Sequence, residues 1–579
     1  MRRCYLLFLG ILLGTHLGSQ AQTAITCTDT LAARIMMGLY DPAPYIIAPV
    51  LNDPATIAGG VHAEVSPDSM HAYLEELRVF KNRNSGSDTT AATNGIGAVR
   101  RWAFERFSQF STRCNNRLIP SYLQFDMDIC GTTRHRNIIA VLPGSDTADR
   151  SIVIIEAHID SRCEGLCDTA CDAQGMEDNG SGTALVLELA RVMSKYTYKR
   201  TIVFALVIGE EQGLLGANAL ALYAQQHGIK IRGVLNNDVI GGVFCGHTSS
   251  PPSCPGYKNV DSTQVRLFSS GIFNSFHKGL ARFIKLEYKE MVLPSAAVPM
   301  LVSIMSPEDR TGRGGDHIPF RQLGFTAMRF TAANENGDAN SATGTYMDRQ
   351  HASADSLGVD VTGDGVLDSF FVDFNYLARN TVINANAAAM MAVGPLTPDF
   401  TLTTNGINTL TVNITTHPEY LHYRIGVRTT TNDWDSVYTF TGVTSHTFSV
   451  PTANYKVSVA SVDSNGIESL FSRELMANVN SVNGTAAGSK KIELLQNKPN
   501  PADEFTAISV VVSEGLSYKE AYISICDLNG REIKRTSIKL DEGVNEILYE
   551  HGYNMTGIYM YTLVIDGRAI ESRRMVFIN

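Results

Sequence analysis

Beyond Ala21 the chain of 579 residues has no apolar run long enough to cross a bilayer, so no transmembrane segment is expected. It also lacks any dense block of lysine or arginine, and its formal net charge of −10 works against electrostatic binding to nucleic acid. Nucleic acid is therefore set aside as a partner. The lipoprotein pattern is missing as well, because Cys4 precedes the apolar stretch of the leader instead of following it. What the beginning does carry is Met-Arg-Arg, a short apolar stretch and small residues at Ser19 and Ala21, the features of a signal peptide over residues 1–21. The expectation is export to the periplasm, followed by secretion or display at the cell surface.

Of the ten cysteines one lies in the leader, and an exported chain would oxidise most of the other nine. Cys163, Cys167 and Cys171 have the spacing C-x3-C-x3-C, which a metal or cluster could use. Disulfides to partners such as Cys245 or Cys254 are the preferred reading. A content of 44% hydrophobic and 18% charged residues is that of a folded chain, and the length calls for two to four domains.

From about Asp68 to Ser111 the segments SMHAYLEELRVF and GIGAVRRWAFERFSQF place apolar residues at helical spacing, with the polar stretch NRNSGSDTTAATN as a loop between them. The runs NIIAVLP, SIVIIEA, TIVFALVIG, IRGVLNND and FTAMRF follow, short, β-branched and apolar on both faces, as strands in the middle of a sheet must be. GTALVLELARVMSKY and LLGANALALYAQQ lie between them as helices. Alternating strands and helices predict an α/β domain over 22–395 with a mainly parallel mixed sheet flanked by helices.

Near Pro395 the pattern changes to Thr-, Val- and Tyr-rich runs broken by turn residues, which predicts a small β-sandwich over 396–482. This stretch resembles a fibronectin type III domain, especially in YKVSVASVDSNGIES. A polar linker over 483–491 leads to a second all-β unit, 492–579, with a D-L-N-G turn at Asp527 to Gly530. Its segments LLQNKPNPADEFTAISVVV, AYISICDLNGREIK and GIYMYTLVIDGRAIESRRMVFIN resemble the carboxyl-terminal sorting domain of the bacterial type IX secretion system. The resemblance implies that secretion machinery as a partner.

Polar residues stand where the buried strands end. SIVIIEA runs out at His158 and Asp160, TIVFALVIG at Glu210 and Glu211, and IRGVLNND at Asp238. In an open parallel sheet the carboxyl ends of the strands gather above one crevice, where ligands bind. Asp178, in GMEDNGSG, precedes a helix beside glycines that let the backbone come close to its neighbours. Each residue alone has a plainer role, as a helix cap or a solvated carboxylate. Gathered together they would repel one another unless cations neutralised them, and carboxylates with imidazoles suit two divalent ions, zinc first, with manganese or cobalt as replacements.

The ordered set AHIDS, EDNGSG, GEEQGLLGA, NNDVIG, GGDHIPF and RQHASADS resembles metallopeptidase family 28 from about Met70 to about Val393. That family contains the co-catalytic zinc aminopeptidases together with glutamate carboxypeptidase and glutaminyl cyclase relatives. The resemblance implies two zinc ions per peptidase domain, one on His158 and Asp238, the other on Glu211 and His351, with Asp178 bridging them. Glu210 would be the catalytic base and Asp160 would orient His158. His317 competes with His351 for the last ligand position, and the family pattern favours His351, which a short polar stretch and Asp355 follow. Asp316, His317 and Asp355 would then lie near the ligands or the substrate. Asp360, Thr362, Asp364 and Asp368 follow the first part of a calcium-binding EF-hand loop, although Phe371 occupies the position of its closing Glu; an ordinary Asp/Gly-rich loop is the alternative.

The resulting expectation is a secreted zinc aminopeptidase that removes amino-terminal residues from peptides. A carboxypeptidase would use the same metals. The glutaminyl cyclase branch has Asp-Ser-Ala where this chain has Asp178-Asn179-Gly180. A non-catalytic surface adhesin would have lost a ligand or the base, and none is missing here.

Overall fold

A computed structural model of the chain describes residues 22–577 apart from 48, 244–259, 272, 310–313, 334–348, 406, 452, 480–491, 503–504, 513–516, 528–531 and 551–555. The leader, the linker, most of the D-L-N-G turn, Cys245 and Cys254 lie outside the described residues. A nine-stranded sheet organises the first part of the chain. Its strands are β1 (Thr23–Cys27), β2 (Ile119–Ile129), β3 (Thr132–Leu142), β4 (Ile152–His158), β5 (Thr201–Val207), β6 (Ile231–Asn237), β7 (Gln264–Phe268), β8 (Leu301–Ile304) and β9 (Ala327–Ala332), in the spatial order β1-β2-β3-β5-β4-β6-β9-β7-β8.

Every residue of β4 and β5 is buried, which explains their unbroken apolar sequences. Alternate side chains feed two cores. Val153, Ile155 and Ala157 face one that includes the helices Pro67–Leu77, Gly95–Arg113, Ser181–Met193 and Phe374–Val393; Ile152 and Ile154 face another with the helices Thr30–Met36 and Leu215–Gln226. The α/β architecture and the expected helices are present, but the sheet is less parallel than its sequence pattern suggests. Parallel pairing holds β5, β4, β6 and β9 together and joins β7 to β8, while β1, β2, β3 and β5, and β9 with β7, pair antiparallel. The apolar run of β3 reads like a crossover strand, yet Cys130 and Gly131, both at positive φ, turn β2 straight back into it, and a hairpin pairs antiparallel by construction.

Two further pairs of small antiparallel sheets follow. Strands Phe400–Thr404, Thr409–Ile414 and Ser445–Ser449 form a three-stranded sheet opposite a four-stranded one of Ser436–Thr441, His422–Arg428, Ala453–Val462 and Leu475–Val479. The same three-plus-four arrangement recurs between Ile492 and Phe577, and each pair of sheets encloses its own apolar core. The first pair also docks on the α/β part: Ala460, Ile467 and Phe471 are buried in that part's core. Arg282, on the helix Phe276–Glu287, lies over the Trp434 ring at 4.8 Å and pairs with Glu474 at 3.2 Å. Among the described residues no helix is long and apolar enough to cross a membrane.

Candidate metal centre

The carboxyl ends of β4, β5 and β6 supply most of the site. His158 closes β4, Glu210 and Glu211 lie just beyond β5, and Asp238 follows β6. His158 is fully buried; its Nε2 lies 3.2 Å from Asp178 Oδ1, 3.3 Å from Asp238 Oδ1 and 4.0 Å from Glu210 Oε2. On the other side of Asp178, Oδ2 lies 3.1 Å from His351 Nε2, which is 3.2 Å from Glu211 Oε2. Two triads result, His158–Glu210–Asp238 and Asp178–Glu211–His351, each able to present three ligand atoms within 4.8 Å of one another. Asp178 faces both, one oxygen to each imidazole.

The surrounding hydrogen bonds aim these groups. Asp160 lies with Oδ1 3.5 Å from His158 Nδ1, and its carboxylate accepts the N–H groups of Glu210 and Glu211 at 3.4 Å each, so it sets the ring and the Glu pair together. Ser85 donates to Asp160 at 3.2 Å and accepts from Gly209 N–H at 2.8 Å. Asp355 accepts the N–H groups of Glu177 and Asp178 at 2.8 and 2.9 Å, fixing the turn that carries Asp178. Asp178 itself caps nothing; Asn179 Oδ1 takes the N–H of Gly182 in the following helix. A side chain at Gly182 would run into the Asn237 carbonyl and the Asn179 amide, which is why that position has none.

Burial and mutual charge displace the acids and imidazoles strongly. Burial, reinforced by Asp238, Glu211 and Asp178, pushes Glu210 up to about 8 against the opposing pull of His158. Burial would lower His351, but the Glu211 and Asp178 carboxylates push it up to about 9. For Asp178, burial is outweighed by both imidazoles, which hold it well below the usual carboxylate range; for Asp238, burial is outweighed by Arg329 and His158, which lower it. Glu211 Oε1 is buried and has no hydrogen-bond partner among the described residues. A crevice this rich in buried carboxylate, with an orphaned oxygen and two imidazoles, has the donor set that zinc takes. His158, Asp238 and Asp178 could hold one ion, and Asp178, Glu211 and His351 the other.

Of the two competing histidines, His351 joins a triad, whereas His317 directs Nε2 to the Glu308 carbonyl at 3.1 Å. Asp316 is fully buried; burial and then Glu210 raise it well above the usual carboxylate range. The Asp360–Asp368 segment is an exposed loop closed on itself: Asp360 accepts the N–H groups of Gly363 and Gly365 at 2.6 and 2.8 Å, and Asp368 those of Val361 and Thr362 at 2.6 and 3.1 Å. Those carboxylates serve the loop's own backbone, Thr362 Oγ1 points at Asp360, and neither metal triad draws on this loop.

The cysteine pairing differs from the expected one. Cys163 joins Cys171 and Cys130 joins Cys167, so no residue of the C-x3-C-x3-C set reaches to Cys245 or Cys254. Cys130 is within reach because the β2–β3 turn lies against this loop. Sequence reasoning also passed over Arg83, Arg162 and Arg329. Arg83 sits in the polar stretch expected to be a plain loop, yet it is fully buried and donates to the carbonyls of Ile159 and Gly175 at 2.8 and 2.9 Å. Arg329, in the middle of an apolar strand, pairs with Asp238 Oδ2 at 3.1 Å, and an arginine in such a run was the available signal.

Comparison with known proteins gives the following. The model of Peptidase family M28 matches residues 137–244. A probable zinc metalloprotease of Leptosphaeria maculans is 31% identical over 347 residues, covering 58% of this chain and 76% of that protein. Another from Pyricularia oryzae is 32% identical over 351 residues, covering 57% of this chain and 65% of its own length. Among solved structures, the LapA aminopeptidase of Legionella pneumophila aligns with a TM-score of 0.43 at 17% identity, covering 60% of this chain and 76% of that one.

Proposed function

The chain belongs to Peptidase family M28 and is a zinc metallopeptidase, and from that premise we propose that it is an exported aminopeptidase working with two zinc ions. The observation that carries the two-ion reading is Asp178, whose two oxygens face the imidazoles of separate triads at 3.2 and 3.1 Å. Zinc bound there supplies Lewis acidity toward the scissile carbonyl and a water that ionises near neutral pH. Glu210 takes the proton from the attacking water and delivers it to the departing amine. Divalent charge held by both triads would lower the raised pKa of Glu210 and favour its ionised form for that task. Asp160, through His158 and the backbone of Glu210, holds acceptor and base in register. Asp238, Asp178 and Glu211 balance the cationic charge.

Preference for an amino terminus follows from charge. Carboxylates dominate the crevice, and the described guanidiniums beside it, Arg83, Arg162 and Arg329, are engaged with carbonyls, Glu211, Asp238 and Asp309. Such a site attracts a substrate ammonium and offers little to a terminal carboxylate. Glu210→Gln should leave the zinc content unchanged and lower turnover by about 10²- to 10⁴-fold. Hydrolysis of aminoacyl chromogenic substrates with free and blocked amino termini tests the polarity, and cleavage of the blocked substrate alone would sink the aminopeptidase reading.

Export is supported by the leader and by two disulfides close to the crevice, which persist in an oxidising compartment. The stretch 396–482, resembling fibronectin type III, is read as an accessory module, and 492–579 as the address read by a type IX secretion system. Deleting 492–579 in a host with that system should strand active enzyme in the periplasm; undiminished secretion would refute the address.

A further inference from the structure

The two triads differ in what stands behind their imidazoles. Behind His158, Nδ1 lies 3.2 Å from the Asp160 carbonyl and 3.5 Å from its carboxylate, an arrangement in which the ring donates its far N–H to an oxygen, gains basicity and grips a metal more firmly. Behind His351 stands Arg162. Its Nη2 lies 2.7 Å from His351 Nδ1, Nε donates to Glu211 Oε2 at 2.9 Å, and Nη1 donates to the carbonyls of Cys163 and Glu164 at 3.2 and 3.3 Å. A guanidinium has only donors and keeps its charge at any pH the protein meets, whereas an imidazole that ligates a cation through Nε2 carries its one proton on Nδ1, so binding a cation there would set two N–H groups against each other. The guanidinium therefore opposes the metal-binding tautomer of His351, the tautomer that Asp160 favours in His158. The same cation occupies Glu211 Oε2, the oxygen 3.2 Å from His351 Nε2, so one carboxylate atom serves the guanidinium and the metal position together.

Arg162 is not a surface side chain that happens to fall here. Its side chain is 19% exposed, and the segment just after it is tied down by Cys163–Cys171 and Cys130–Cys167.

We propose that Arg162 makes the two metal positions unequal: it weakens the hold of Asp178, Glu211 and His351 on their cation and leaves that cation less neutralised by its ligands. The inference rests on the two-zinc reading above. It makes Arg162 a positioning residue acting through Glu211 and His351, with a signature that a purely structural role would not give, tighter metal together with slower turnover.

The test uses the full mature chain stripped of metal and titrated with zinc against a competing chromophoric chelator, for the wild type, R162M, R162Q and R162K, with circular dichroism to establish that each is folded. R162Q is the second neutral variant should R162M fail to fold. The wild type should bind two ions with affinities about tenfold or more apart. Both neutral variants should bind the weaker ion about tenfold more tightly, leave the tighter one within about threefold, and turn over about tenfold more slowly at saturating zinc. R162K should stay near the wild type. A weaker ion that is unchanged or looser in the neutral variants overturns the role of Arg162, as do two equal affinities in the wild type. Fewer than two bound ions in the wild type would instead sink the two-zinc reading, and this inference with it.

Discussion

Zinc and a proton compete for the same nitrogen of His351. The carboxylates of Glu211 and Asp178 push this imidazole up to about 9 despite its burial, so below that pH the proton must leave before the metal enters. The sign follows directly: occupancy of the second position should fall as pH falls, by about tenfold in affinity per unit from pH 8 to pH 6, and level off above about pH 9. Competition titrations at several pH values measure it, and a flat profile would mean that His351 is not a ligand. His351→Ala should lower the zinc content from two ions to one, whereas His317→Ala, which removes only the hydrogen bond to the Glu308 carbonyl, should keep both. These two residues also show where sequence reading stops for a single side chain. His317 sits in the more conspicuous motif, but the helix His317–Gln322 begins at it and the ring is drawn to the preceding loop. Nothing in the order of residues states which way a side chain at a helix start will point.

Elements, by contrast, were largely legible. The runs ending at His158, Glu210 and Asp238 form β4, β5 and β6, and because parallel neighbours end at the same edge their last residues converge without further information. Loops were not. The stretch Asn82–Ser87 is polar enough to read as solvated, yet Arg83 and Ser85 are fully buried because they satisfy the carbonyls and the carboxylate under the crevice. The segment around Asp355 has the same character. Its carboxylate receives two successive N–H groups of the Asp178 turn, and burial nevertheless raises it to about 7 against those two bonds. Removing it frees the turn that holds Asp178. Asp355→Ala should therefore lower zinc affinity and kcat/KM by about 10- to 100-fold with Glu210 intact, as loss of a group that orients metal ligands usually does. Asp355→Asn, retaining one acceptor, should fall between. Unchanged zinc affinity in the Ala variant would show that the turn holds itself.

At the scale of the whole molecule, the chain's all-β stretches announce themselves through Thr, Val and Tyr and regular turns, but their seating does not, because a docking face is made of residues far apart in sequence. Arg282 belongs to the α/β part, and Arg428, Trp434 and Glu474 to the strands and loops that follow Pro395. Glu474 takes Arg282 at 3.2 Å and the Nη2 of Arg428 at 2.9 Å, with all three side chains at most 2% exposed. Such an arrangement contributes little net stability when complete, since burying the charges offsets their attraction, but removing the central acid strips both guanidiniums of their shared counter-charge. Glu474→Ala is expected to cost about 3–5 kcal/mol in urea unfolding of the full chain. Glu532→Ala, at the solvent-exposed pair with Arg535, should leave the unfolding transition almost unmoved, because water screens that pair. If the α/β part and the adjoining sandwich are one cooperative body, the Glu474 variant will unfold in a single shifted transition that takes peptidase activity with it. Two separated transitions, with activity following only the later one, would show the sandwich to be a module that merely rests on the enzyme.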